Sequence, residues 1–99
     1  MLSAFEQQVS DLVRSLVDEY ESDLSGTGLR ADVVGVIPSG AHGESATELR
    51  ILFYRGTDMV DAFEFYVERA GKPVASAQDI ESWLRVELTK LVDPQSPQQ

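Results

Sequence analysis

Between Thr47 and Arg69 the chain reads TELRILFYRGTDMVDAFEFYVER, two alternating apolar runs split by a glycine turn. This pattern leaves few folds open. In the first run Leu49, Ile51 and Phe53 alternate with Glu48, Arg50, Leu52 and Tyr54. In the second, Phe63, Phe65 and Val67 alternate with Ala62, Glu64, Tyr66 and Glu68. A period of two sends successive side chains to opposite faces of a pleated strand, and aromatic and β-branched residues suit such a surface. Gly56-Thr57-Asp58 supplies the turn. Directly paired residues share a face, so one core holding Phe53, Phe63 and Phe65 needs odd positions paired with odd. The loop then holds an odd number of residues, or a bulge restores the face after a two-residue turn.

The opposite face is half apolar, with Leu52, Tyr54 and Tyr66 among Glu48, Arg50, Glu64 and Glu68. The outer face of an antiparallel sheet is usually mostly polar, and tyrosine is enriched at interfaces because it joins area to a polar tip. Leu29 to Ile37, LRADVVGVI, reads as another strand. If Leu29, Ala31, Val33 and Ile37 turn inward, Val34 and Val36 extend the open face; Gly35 marks a bulge or a close approach. The expected protein interface is therefore Leu52, Tyr54 and Tyr66 as anchors, Arg50 and Glu64 as polar contacts, and Val34 and Val36 from the first strand.

Helices flank the strands. Ser3-Ala4-Phe5-Glu6 has the capping-box pattern, and Leu2, Phe5, Val9, Leu12, Val13, Leu16 and Tyr20 fall on one face of a helix reaching about Leu24. Asp11, Arg14, Asp18 and Glu21 fall opposite. Asp18, Glu19, Glu21 and Asp23 crowd the C-terminal turns, where the helix dipole disfavours anions, and no basic residue is near in sequence. These four form a candidate acidic patch. Gly26 or Gly28 suits a left-handed helix cap. After a turn at Ala70-Gly71-Lys72-Pro73, Ser76 caps a second helix with Ile80, Leu84, Leu88 and Leu91 inward. Trp83 and Glu87 border that stripe, Lys90 suits the last turn, and Asp93-Pro94 ends the helix. Residues 94–99 are expected to be a disordered polar tail, leaving residues 1–93 as a single domain.

Few residues invite chemistry. The chain has no cysteine and one histidine, His42, in the loop Pro38–Ala46. Nothing orients His42 against Ser39 or Ser45 as a nucleophile would require, and a lone histidine without cysteine does not make a zinc site. The glycines near residue 26 precede a strand and lack the Gly-Lys-Ser/Thr of a phosphate loop. No catalytic residue, cofactor or metal is expected. A carboxylate beside Trp83, such as Glu87, or Glu64, is the starting point for the alternative of a small ligand-binding or enzymatic domain.

The formal net charge is −9 over 99 residues. Residues 1–49 contribute nine acids against Arg14 and Arg30, or −7, leaving −2 for the remainder. Such a chain repels nucleic acid and anionic membrane and is steered toward basic proteins. No stretch has the apolar length of a membrane span or the basic-then-apolar start of a secretion signal, so a cytoplasmic location is expected.

The element order is α-β-β-β-α. Short connections favour a three-stranded antiparallel sheet with both helices on one face, an α+β two-layer sandwich. This layout resembles that of double-stranded RNA-binding domains, including the loop Pro38–His42. Those domains grip phosphates with lysines at the start of the second helix; here Ala77, Gln78, Asp79, Ile80 and Glu81 stand there, so RNA binding is not expected. In size and charge the chain is also similar to small acidic secretion chaperones and toxin-immunity proteins, without a shared motif. The expected function is a non-enzymatic protein-binding or self-associating module, a homodimer or the ligand of a basic partner, chaperone-like or inhibitor-like. The alternatives are a structural subunit of a larger complex and the ligand-binding domain above.

Overall fold

In a computed structural model, which describes residues 2–39 and 46–93, the chain runs α1 (Ala4–Gly26), β1 (Arg30–Pro38), β2 (Ala46–Arg55), β3 (Asp58–Arg69), β4 (Lys72–Pro73) and α2 (Ala77–Val92). His42, Ser45 and the polar tail lie outside the described residues. Ser3 caps α1 as a reciprocal box: its hydroxyl accepts from the Glu6 amide at 3.1 Å, and its own N–H donates to Glu6 Oε1 at 2.8 Å. At the other end Gly28 takes the left-handed cap with φ 80°. The Leu29 amide donates to the Leu24 carbonyl and the Gly28 amide to that of Ser25, with Leu24 and Leu29 both buried. This is a Schellman stop, and it lays β1 beside the last turns of α1. Ser76 caps α2 through the Asp79 amide at 3.0 Å.

The sheet is antiparallel, in the order β1-β2-β3-β4, and curls into a half-barrel. It has four strands where the sequence pattern suggested three. The expected turn at residues 70–73 is only two residues long. Ala70 and Gly71 both take positive φ, 53° and 78°, as a type I′ turn requires, and Lys72-Pro73 then pairs back on Glu68 and Arg69.

Three bulges set the faces. The β2–β3 loop is the two residues Gly56-Thr57, but Tyr54 faces Met59 while Phe53 faces Asp61, so Val60 is the extra residue. Odd then meets odd: Ile51 faces Phe63 and Leu49 faces Phe65. A second bulge inserts Val67 between the pairs Glu48–Tyr66 and Thr47–Glu68. In β1 the ladder shifts between Val33, facing Ile51, and Gly35, facing Arg50. Each bulge adds local twist, in keeping with the curl of the sheet.

One core joins the layers. Val9, Val13, Leu16, Val17 and Leu24 of α1 pack with Leu49, Ile51, Phe53 and Val67 of the sheet and with Ile80, Leu84 and Leu88 of α2. The buried side of α1 is rotated from the expected stripe toward Glu6, Ser10, Val17 and Leu24. Leu2 is exposed, and Phe5, Leu12 and Tyr20 are only partly covered. The reason is that α1 serves two neighbours: α2 borders the Leu12–Glu19 side and β1 the Val17–Leu24 side.

Candidate functional site

The sheet face turned from the helices is built in rows across β1, β2 and β3. Arg30, Tyr54 and Met59 form the first row, and Asp32, Leu52 and Ala62 the second. Gly35, Arg50 and Glu64 form the third, and Ile37, Glu48 and Tyr66 the fourth. Arg50 sits at the centre, held by Glu48 along its own strand and by Glu64 across the ladder at 2.6 Å. The Arg30 guanidinium lies 4.7 Å above the Tyr54 ring and that of Arg69 lies 5.2 Å above Tyr66, so each tyrosine face carries a cation. Three arginines therefore meet three carboxylates, Asp32, Glu48 and Glu64, on this face. With Lys72, which pairs with Arg69 on β4, the face holds four cations against three carboxylates and is close to neutral on a chain of net charge −9. Leu52 and Tyr54 are half-buried; Met59 is 57% exposed and Tyr66 37% exposed.

Of the expected interface residues, Arg50, Leu52, Tyr54, Glu64 and Tyr66 share this face, and Val34, at the bulge, is 40% exposed. Val36 does not belong to it. The bulge at Val34-Gly35 reverses the alternation, so Val36 pairs with Leu49 and packs against the core while Ile37 turns outward opposite Glu48. Glu68 also leaves the face. The bulge at Val67 turns it toward α1, where the Ser3 hydroxyl donates to its Oε2 at 2.9 Å. Met59 and Arg69 were not expected here, and Ile37 was expected on the inner face. Gly35 was the one sequence signal for the reversal; its φ of 103° is open chiefly to glycine.

The acidic end of α1 divides three ways. Glu19 donates its charge to α2, accepting from Arg85 at 2.9 Å, while Arg85 also holds Glu81 one turn back. The hydrogen bond from Arg85 holds the Glu19 carboxyl below its usual range, and Glu19, Tyr20 and Glu81 together raise the guanidinium further. The compensating cation that the local sequence lacks is thus supplied by the other helix. Asp18 and Glu21 instead line a groove of about 540 Å³ between α1 and β1. Asp23 is exposed.

Glu87 meets a carboxylate rather than an arginine. Its hydrogen bond with Asp61, followed by burial and the charge of Asp61, raises its pKa, with Lys90 opposing. The Val60 bulge turns Asp61 to the helix side, where α2 presents Glu87. Trp83 is 47% exposed and stands edge-on to Phe65 at 6.3 Å. A pair of facing carboxyl groups is a chemical resource only beside a substrate cavity. Neither Asp61 nor Glu87 lines the α1–β1 groove or the shallower α1–α2 groove around Leu12 and Ala77. Glu64 is tied to Arg50. Among the described residues no three histidine, aspartate or glutamate side chains gather as metal ligands, and no helix is long and apolar enough to cross a membrane. Comparison with protein families, curated proteins and solved structures returns no match in any of the three.

Proposed function

We propose that this chain is a non-enzymatic interaction module that self-associates by stacking the open face of its sheet on that of a second copy. The observation that carries this reading is the charge balance of the face. Two chains of net charge −9 repel one another, yet this surface sets Arg30, Arg50, Arg69 and Lys72 against Asp32, Glu48 and Glu64 and meets its own counterpart without an acidic excess. Arg50 is already partnered within the face by Glu48 and Glu64, and Arg30 and Arg69 lie over the Tyr54 and Tyr66 rings, which lowers the electrostatic cost of desolvating these groups. Leu52, Tyr54, Met59 and Tyr66 supply apolar area to bury, worth about 25 cal/mol per Å² removed from water. A basic partner finds no surplus of negative charge on this face; the surplus lies on the helices.

Light scattering of the chain across a concentration series tests this. A dimer is expected, and Tyr54→Glu should weaken it by about 30-fold or more, as for an aromatic anchor. Met59→Glu, at an exposed position that leaves the core intact, should weaken it in the same direction. Circular dichroism melts separate a lost interface from a lost fold. A monomer at every concentration, or a dimer indifferent to both variants, would overturn the reading. A monomer would also return the face to the alternative of a seat within a larger complex.

A further inference from the structure

A second surface, separate from the open face, lies along the outer edge of β1. We infer that the groove between α1 and β1 takes an extended peptide of alternating basic and aliphatic residues, added as a fifth strand beside Arg30–Val33. β1 pairs only with β2. An edge strand in an antiparallel ladder turns every other N–H and C=O outward, and among the described residues no backbone bond reaches Arg30–Val33 from any other side. The groove follows this part of the edge and no more: its strand wall is Leu29–Val33. Beyond it the edge is closed to pairing by the bulge at Val34-Gly35 and by Pro38, which has no N–H. The other edge is closed too. β3 is interrupted at Val60 and Val67, the Ala62 amide is taken by the Asp61 carboxylate at 2.8 Å, and β4 covers its end. One short regular edge remains, and it has a groove beside it.

The groove also says what fits. Val17, Leu24 and Leu29 are buried beneath it and Ala31 and Val33 are half-buried, so alternate side chains of an added strand meet an apolar floor. Asp18 and Glu21 form the helix rim, neither in an ion pair among the described residues. Arg14, at the far end, reaches toward Gly35, and Arg30 is turned onto the Tyr54 ring. Only one set of alternate side chains of an added strand turns toward α1. Lysine or arginine in that set lays its methylene stem on the floor and its cation on Asp18 and Glu21, and the aliphatic residues between them continue the opposite sheet face. A second copy of β1 fits less well, because pairing edge to edge brings two acidic rims of two −9 chains together. Addition of a strand between an edge and a helix is an established mode of peptide recognition, with main-chain bonds giving affinity and alternate pockets giving specificity.

The test is a titration of the ¹⁵N-labelled chain with the capped peptide Lys-Val-Lys-Val-Lys-Val, followed by amide shifts. The expected shifts are confined to residues 17–25 and 29–34, with slowed exchange of outward β1 amides. The Asp18→Asn, Glu21→Gln double variant, at two exposed positions, should bind about five- to tenfold more weakly at low salt. A peptide N-methylated at alternate residues keeps the charges but cannot pair along the strand, and should not bind. Equal binding of the N-methylated peptide or of Glu-Val-Glu-Val-Glu-Val would overturn the proposal, as would shifts elsewhere or none. Protection of the β1 amides in the free chain that grows with concentration would also overturn it, by giving the edge to a second copy.

Discussion

Glu87 and Glu6 are acids on helices, and their surroundings push them in opposite directions. Glu6 is buried, but the hydrogen bond from the Ser3 amide stabilises its ionised form, so its pKa is lowered. Glu87 faces Asp61, so its pKa is raised. The two contribute opposite slopes to stability against pH. Glu6 stabilises the folded state above its unfolded value near 4.5, and that contribution is lost as pH falls through the lowered folded value. Glu87 destabilises the folded state at neutral pH; the penalty is relieved as pH falls through its raised folded value toward 4.5. Urea melts at several pH values check this. Glu6→Gln should cost about 1 kcal/mol at pH 7, the scale of a lost cap, with the difference shrinking in acid. Glu87→Gln should gain a few tenths of a kcal/mol at about pH 7, a modest value because solvent screens the pair, and the gain should vanish below about pH 4.5. A loss of stability in Glu87→Gln at neutral pH would refute the carboxyl pairing.

Among the elements, the strands and helices were legible while the bulges between them were only partly so. Parity alone required an odd loop or a bulge in the β2–β3 hairpin, and the two-residue loop with Val60 inserted meets that condition. The position was not readable, because Val60 and Val67 are ordinary strand residues and a bulge adds one residue without a change of composition. The cost of missing it is specific: each bulge reverses the faces beyond it, which is why Val36, Ile37 and Glu68 were expected on the wrong side. Charge was hidden in the same way. Arg85 lies 66 residues from Glu19 in sequence, and the two are joined only by helix packing. The fourth strand was missed because Ala-Gly is a weak signal for a type I′ turn. Alanine in the left-handed region costs about 1–2 kcal/mol, so Ala70 at φ 53° holds strain that asparagine tolerates. Ala70→Asn should therefore slow amide exchange at Val74, whose N–H donates to the Val67 carbonyl at 2.9 Å, by about two- to fivefold. Faster exchange would show that the pairing of β4 does not depend on this turn.

At the scale of the whole molecule, charge is sorted by surface. The open sheet face is close to neutral, whereas the helices, and the rim of the α1–β1 groove with them, carry the acid excess. The two proposed interactions then respond to salt in opposite directions. Association through the open face is opposed only by the general repulsion between two −9 chains, which salt screens. Binding of a cationic peptide to Asp18 and Glu21 is favoured by attraction that the same salt weakens. Raising sodium chloride from about 50 mM to about 500 mM shortens the screening length roughly threefold. Across that range the dimer should tighten by about two- to fivefold by analytical ultracentrifugation, and the Lys-Val peptide should lose affinity by a similar factor by calorimetry. Weakening of both would place unbalanced charge within the dimer interface, contrary to the near balance of cations and carboxylates on the open face. An unchanged peptide affinity would remove Asp18 and Glu21 from the groove's recognition and leave its apolar floor and strand edge as the source of any binding that remained.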